Sequence, residues 1–222
     1  MKTLIKTSAL IGTSEIVIII VSIFRAKYLA VHIGADGYGE FALLNSFFGI
    51  LTALCGGWIA RGTIKYLAEY VHENDADSAA KVHNYSISLA LILGAFATLL
   101  VFVFQDFVRE KFLSPNIIFL HYTLFASSFL ATSLIPFFAW LLQSYMQVKS
   151  TVKLRIYSSL FSLASVLVFV YFFEITGYFI SILLTALFGL FIFWRETKKI
   201  VKTKFLLPDF KDQIFKKLAL GG

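Results

Sequence analysis

The chain has 222 residues, 59% of them hydrophobic and only 15% charged, with a mean hydropathy of +0.81. An ordinary soluble domain carries about a quarter charged residues, and folding cannot hide this much apolar surface from water, so a soluble enzyme is excluded. The net charge of +7 comes from 20 Lys and Arg against 13 Asp and Glu. It poses the question of where charge sits relative to a bilayer, not of a nucleic-acid partner.

Crossing the hydrocarbon takes about 20 helical residues, and the sequence predicts six such spans, over about 7–27, 38–60, 82–105, 117–143, 156–173 and 175–194. The first is apolar apart from Glu15. It follows Met1-Lys2 as a signal peptide would, but it is too long for one and ends in Arg25-Ala26-Lys27 without a small-residue cleavage site. It is expected to be a retained span. Gly34-Ala35-Asp36-Gly37-Tyr38-Gly39 reads as a tight turn into the second span; no strand precedes it, which rules out a dinucleotide-binding loop.

The second span is expected to run on as a helix beyond the membrane, with Ile64, Leu67, Ala68 and Val71 on one face. A polar, acidic loop from His72 to Lys81 follows, and His83 stands at the edge of the third span. Pro136 predicts a kink in the fourth. Glu174 and a turn around Gly177 divide the fifth from the sixth. Gly56-Gly57, Gly94 and Gly189 permit close helix approach. Cys55 is the single cysteine, so no intramolecular disulfide forms.

With the N-terminus in the cytoplasm, 16 of the 20 basic residues fall on the inner side of the six crossings; Arg25, Lys27, Arg109 and Lys111 fall outside. That bias alternates with every crossing and supports their number and orientation, with both termini cytoplasmic. The expected fold is all-α: a polytopic six-helix transmembrane bundle over 1–195, then a basic cytoplasmic segment over 196–222.

An ionisable side chain at the centre of a span costs about 3 kcal/mol on insertion scales and therefore faces protein or a wet cavity. Glu15 is the deepest acid. It is either a proton or cation site or a polar residue paired to a neighbouring helix. Thr13 and Ser14, with Asn45 and Ser46, suggest a polar face shared by the first two spans. Arg25 and Lys27 either snorkel to the outer interface or serve a site, and Arg61 and Lys65 either anchor the inner side or do the same. His121 in the fourth span reads as a packing residue. The six aspartates are scattered through loops, not set at helical spacing to hold magnesium against a pyrophosphate, and no His/Glu cluster lies in a span. No cofactor, metal or enzymatic chemistry is expected.

The first two spans also carry a resemblance. Phe24-Arg25-Ala26-Lys27-Tyr28-Leu29-Ala30 runs into Ile33-Gly34-Ala35-Asp36-Gly37-Tyr38-Gly39, and later come Gly56-Gly57-Trp58-Ile59-Ala60-Arg61-Gly62-Thr63-Ile64-Lys65-Tyr66-Leu67-Ala68-Glu69-Tyr70. Over residues 1–75 this resembles the N-terminal part of the polysaccharide flippases, the O-antigen translocase (Wzx-type) branch of the multidrug/oligosaccharidyl-lipid/polysaccharide exporter superfamily. The resemblance implies one of two six-span bundles around a central cavity, in the bacterial cytoplasmic membrane, moving undecaprenyl-pyrophosphate-linked oligosaccharide to the outer leaflet. It implies that Arg25 and Glu40 face that cavity, as the matching residues of lipid II flippases are thought to do, with Lys27, Arg61 and Lys65 as lesser substrate-binding candidates. Its partners would be the bilayer, the lipid-linked oligosaccharide, and a second half-bundle or polysaccharide assembly proteins. Since the chain stops before a seventh span, a truncated half is expected. Two other readings stand beside it: a cation-coupled multidrug exporter using Glu15, and a non-transporting membrane partner in glycan export.

Overall fold

The computed structural model describes residues 2–112, 118–200, 209 and 212–220; within them, the side chains of 2–9, 35–36, 40–41, 48, 54–58, 109–112 and 219–220 are not described. The described chain is entirely helical: α1 (Lys2–His72), α2 (Ala76–Val103), α3 (Gln105–Phe112), α4 (Phe119–Ser144), α5 (Val148–Lys198) and α6 (Gln213–Leu220). Four stretches are long and apolar enough to cross a membrane: Leu10–Gly34, Ala76–Val103, Phe119–Ser144 and the 51 residues of α5. With Ile19, Phe24, Phe96 and Phe172 more than half exposed on the outside, this is a polytopic helical membrane protein.

At 1.5 Å per residue a straight α5 would be about 76 Å long, more than twice the hydrocarbon thickness. It is not straight. Glu174 leaves the helical region (φ 49, ψ −126), and beyond it the helix returns along itself. Phe161 and Phe188, 27 positions apart, stack with centroids 4.1 Å apart. A Cβ on Gly177 would collide with the Phe169 carbonyl. The break falls at Glu174, one of the two positions expected to divide the spans, and not at Gly177. Gly177 lies inside the returning arm, where a missing side chain lets the two arms touch.

In α1 the break is Gly34 alone (φ 83, ψ 166), a conformation open to glycine and costly for other residues. The expected turn over 34–39 therefore shrinks to one residue, and the helix resumes at Ala35.

Cross-contacts give the direction of each segment. Glu15, Arg25 and Tyr28 meet Arg155, Ser162 and Leu167 in the same order, so the first arms of α1 and α5 run parallel. Tyr122 bonds the Val101 carbonyl at 2.6 Å while Tyr145 approaches His83, so α2 and α4 are antiparallel. His121 and Phe125 meet Thr176 and Phe179, so α4 and the second arm of α5 are parallel. Successive long segments alternate in direction, as the core clusters between them require.

Several local expectations shift. The second arm of α1 does extend to His72, but its buried stripe is Ile59, Ala60, Thr63 and Leu67; Ile64 is 37% exposed. Thr63 displaces it inward by donating to Ser86 at 2.8 Å. His83 is fully buried, not interfacial, because α2 begins two turns earlier at Ala76 and Tyr145 of α4 closes over the ring. α4 continues through Pro136 as one helix.

Candidate functional site

A cavity of about 520 Å³ opens between both arms of α1, both arms of α5, and α4. Except for Ser158, its residues from α1 and α5 fall within about three turns on either side of the breaks at Gly34 and Glu174. Its wall is unusually polar for a membrane bundle. Arg25, Asn45, Ser158, Ser162, Tyr178 and Thr185 all contribute to it.

Among the described residues, Arg25 is the only formally charged one lining the cavity. Its Nη1 donates to Ser162 Oγ at 2.8 Å, and Ser162 is itself buried. That bond crosses from the first arm of α1 to the first arm of α5 and holds the guanidinium inward. Arg25 is half-buried, and among the described residues no carboxylate pairs with it. Such a site favours an anion, and a planar guanidinium suits the paired oxygens of a phosphate. Two further hydroxyls, Ser158 Oγ and Thr185 Oγ1, are buried at the same cavity without a partner among the described residues. Buried polar atoms are normally satisfied, so they add unused hydrogen-bonding capacity beside the cation.

The other candidate residues are dispersed. Glu15 forms an ion pair with Arg155, each side chain 40% exposed. Arg155 belongs by sequence to the basic inner loop, but α5 begins at Val148, which carries it two turns into the helix and level with Glu15. Lys27 and Arg61 are exposed and are not among the cavity's described lining residues. Lys65 is exposed as well, its amine 4.9 Å from the centre of the Tyr66 ring. The side chain of Glu40 lies outside the described residues, as do those of Gly56 and Gly57.

Of the predicted polar face, Asn45 reaches the cavity; Ser14 turns back to the Ile11 carbonyl and Ser46 to the Ala42 carbonyl. Contributions from α4 and α5 had no sequence signal. Serine and threonine in a membrane helix usually bond their own preceding turn, as Thr132 does with Ser128. His121 packs as expected, stacked on Phe179 and bonded to Thr176 at 2.8 Å.

Fold and cavity together define the class: a helical membrane bundle with an internal, cation-bearing polar cavity. The signature of the polysaccharide biosynthesis protein family matches residues 4–221, and the chain belongs to that family. No curated protein matches it by sequence. Three solved structures share the fold. A MOP superfamily transporter from Pyrococcus furiosus superposes with a TM-score of 0.75 at 18% identity, over 97% of this chain and 50% of that one. An outward-facing multidrug resistance MATE family transporter of the MOP superfamily gives 0.71 at 16%, again over 97% and 50%. A MATE protein in complex with MaD5 gives 0.73 at 19%, over 94% and 49%. The chain thus spans about half the length of each.

Proposed function

We propose that this chain forms one half of a membrane transporter, a flippase that translocates undecaprenyl-pyrophosphate-linked oligosaccharide, such as an O-antigen unit, across the bacterial cytoplasmic membrane. The observation that carries the reading is Arg25, the cation lining a polar cavity in a member of a polysaccharide biosynthesis family. A bare pyrophosphate does not cross hydrocarbon, because isolated charge is prohibitive there. A guanidinium backed by Ser162 in a water-accessible cleft would hold it while the isoprenoid tail stays in lipid and the glycan occupies the cavity. The six long segments act as six crossings with both termini cytoplasmic, and a second bundle, in the same or another polypeptide, supplies the opposite wall for alternating access.

Surface O-antigen in a flippase-null strain complemented with the gene tests this. Arg25→Ala should abolish most of the surface glycan at unchanged protein level. Normal glycan with Arg25→Ala would overturn the role of the cavity cation.

A cation-coupled multidrug exporter is the second reading, favoured by the likeness to the MATE fold. It assigns coupling to Glu15, whose carboxylate would have to exchange Arg155 for the transported cation. Drug-resistance profiles with and without Glu15→Gln separate the two: a loss of resistance with intact surface glycan supports the exporter.

A further inference from the structure

On the other side of the second α5 arm lies a different space, a groove of about 410 Å³ whose eight lining side chains are all aliphatic or aromatic. Leu91 of α2 and Phe138 of α4 form one side. Leu187, Leu190, Phe191 and Trp194 of α5 form the other. Those four positions follow the 3.6-residue helical period, and the next residue on the same stripe is Lys198. Its amine sits 3.8 Å from the centre of the Trp194 ring. Leu187 is 50% exposed and Phe191 54%, so none of the described residues covers the stripe.

We propose that this groove is a selective site for an anionic phospholipid, with an acyl chain along the Leu187–Trp194 stripe and the lipid phosphate on Lys198. Three observations fix that occupant. From Leu187 to Lys198 the helix rises about 16 Å, half of the hydrocarbon thickness and so the depth of one leaflet. The stripe ends in a Trp–Lys pair, the chemistry that marks the membrane–water boundary. Finally, Lys199 is neutralised by Glu196 at 2.6 Å, whereas among the described residues Lys198 meets only an aromatic face. Its charge is available, and basic pockets between membrane helices on the inner side recruit anionic headgroups. The proposal is independent of what the transporter carries.

Thermal unfolding of the purified full chain in detergent, with added phosphatidylglycerol or phosphatidylcholine of identical acyl chains, tests it, together with native mass spectrometry of bound lipid. Phosphatidylglycerol should raise the unfolding temperature more than phosphatidylcholine and remain bound. Lys198→Gln should lower phosphatidylglycerol retention about fivefold, the effect expected of one basic residue at a lipid surface, and erase the preference. Lys199→Gln, a neighbouring surface lysine, should leave the preference intact. Equal effects of the two lipids on the native chain, or equal losses in both lysine variants, would overturn the proposal. So would disulfide crosslinking between two chains through Phe191→Cys, which would make a second copy the occupant.

Discussion

Arg25 stands in the last third of an apolar run, and its geometry is set by one bond to Ser162 across the α1–α5 interface. Replacing it with lysine keeps the charge but loses the planar fork, so Arg25→Lys should retain part of the transport that Arg25→Ala loses, measured as surface glycan. Ser162→Ala removes the acceptor that orients the guanidinium, a loss of about 1 kcal/mol, and should reduce transport severalfold without abolishing it. Glu15 and Arg155 are both 40% exposed, so their coupling in a double-mutant cycle of thermal unfolding should be no more than about 1 kcal/mol. A much larger value would mean that the pair sits in a drier setting than its exposure indicates. Sequence alone left Arg25 at the end of an apolar span, between snorkelling and a site, and only the family resemblance favoured the cavity. The partner of Glu15 was not legible: Arg155 is 140 positions away and looked like an ordinary inner-loop anchor.

Among the elements, the two breaks carry the architecture. Glu174 holds a positive φ that costs a non-glycine residue about 1–3 kcal/mol. Glu174→Gly should therefore be tolerated and raise the unfolding temperature, while Gly177→Val should lower it sharply by forcing the α5 arms apart at Phe169. The start of α2 depends on Asp75, whose side chain accepts the Ser78 N–H; hydrogen bonding from the Ser78 side chain, and then from its N–H, holds the Asp75 carboxyl below its usual value of 3.8. A depressed carboxylate stabilises the folded form above the unfolded value and loses that contribution as pH falls through the folded one. Amide exchange at Ser78 should accordingly speed up in acid below pH 3.8, and Asp75→Asn should flatten the dependence. At the far end, Asp212 accepts from the Ile214 N–H and from the Tyr85 hydroxyl at 3.0 Å, so one carboxylate both caps α6 and ties it to α2. Helix existence was readable from apolar run length. Glu174 stands where the fifth and sixth spans were expected to divide, but the glycines of 34–39 marked a turn region without saying which residue leaves the helix.

For the whole molecule, what the sequence offered was hydropathy and the placement of lysine and arginine, and those sufficed for an all-helical membrane bundle. The direct contacts needed coordinates: no pattern in the chain announces that Thr185 and Arg25 line one cavity. Segments 140 residues apart meet only after the bundle packs. The chain belongs to a polysaccharide biosynthesis family and spans about half the length of the solved structures that share its fold. The most direct measurement places a photocrosslinking amino acid at Ser158, which lines the cavity with Arg25, in cells that make the lipid-linked oligosaccharide. An adduct carrying acid-labile, pyrophosphate-linked glycan, lost when Arg25→Ala is added, is the predicted result. No glycan adduct with Arg25 present, or an undiminished adduct without it, would contradict the assignment of this cavity to a lipid-linked saccharide.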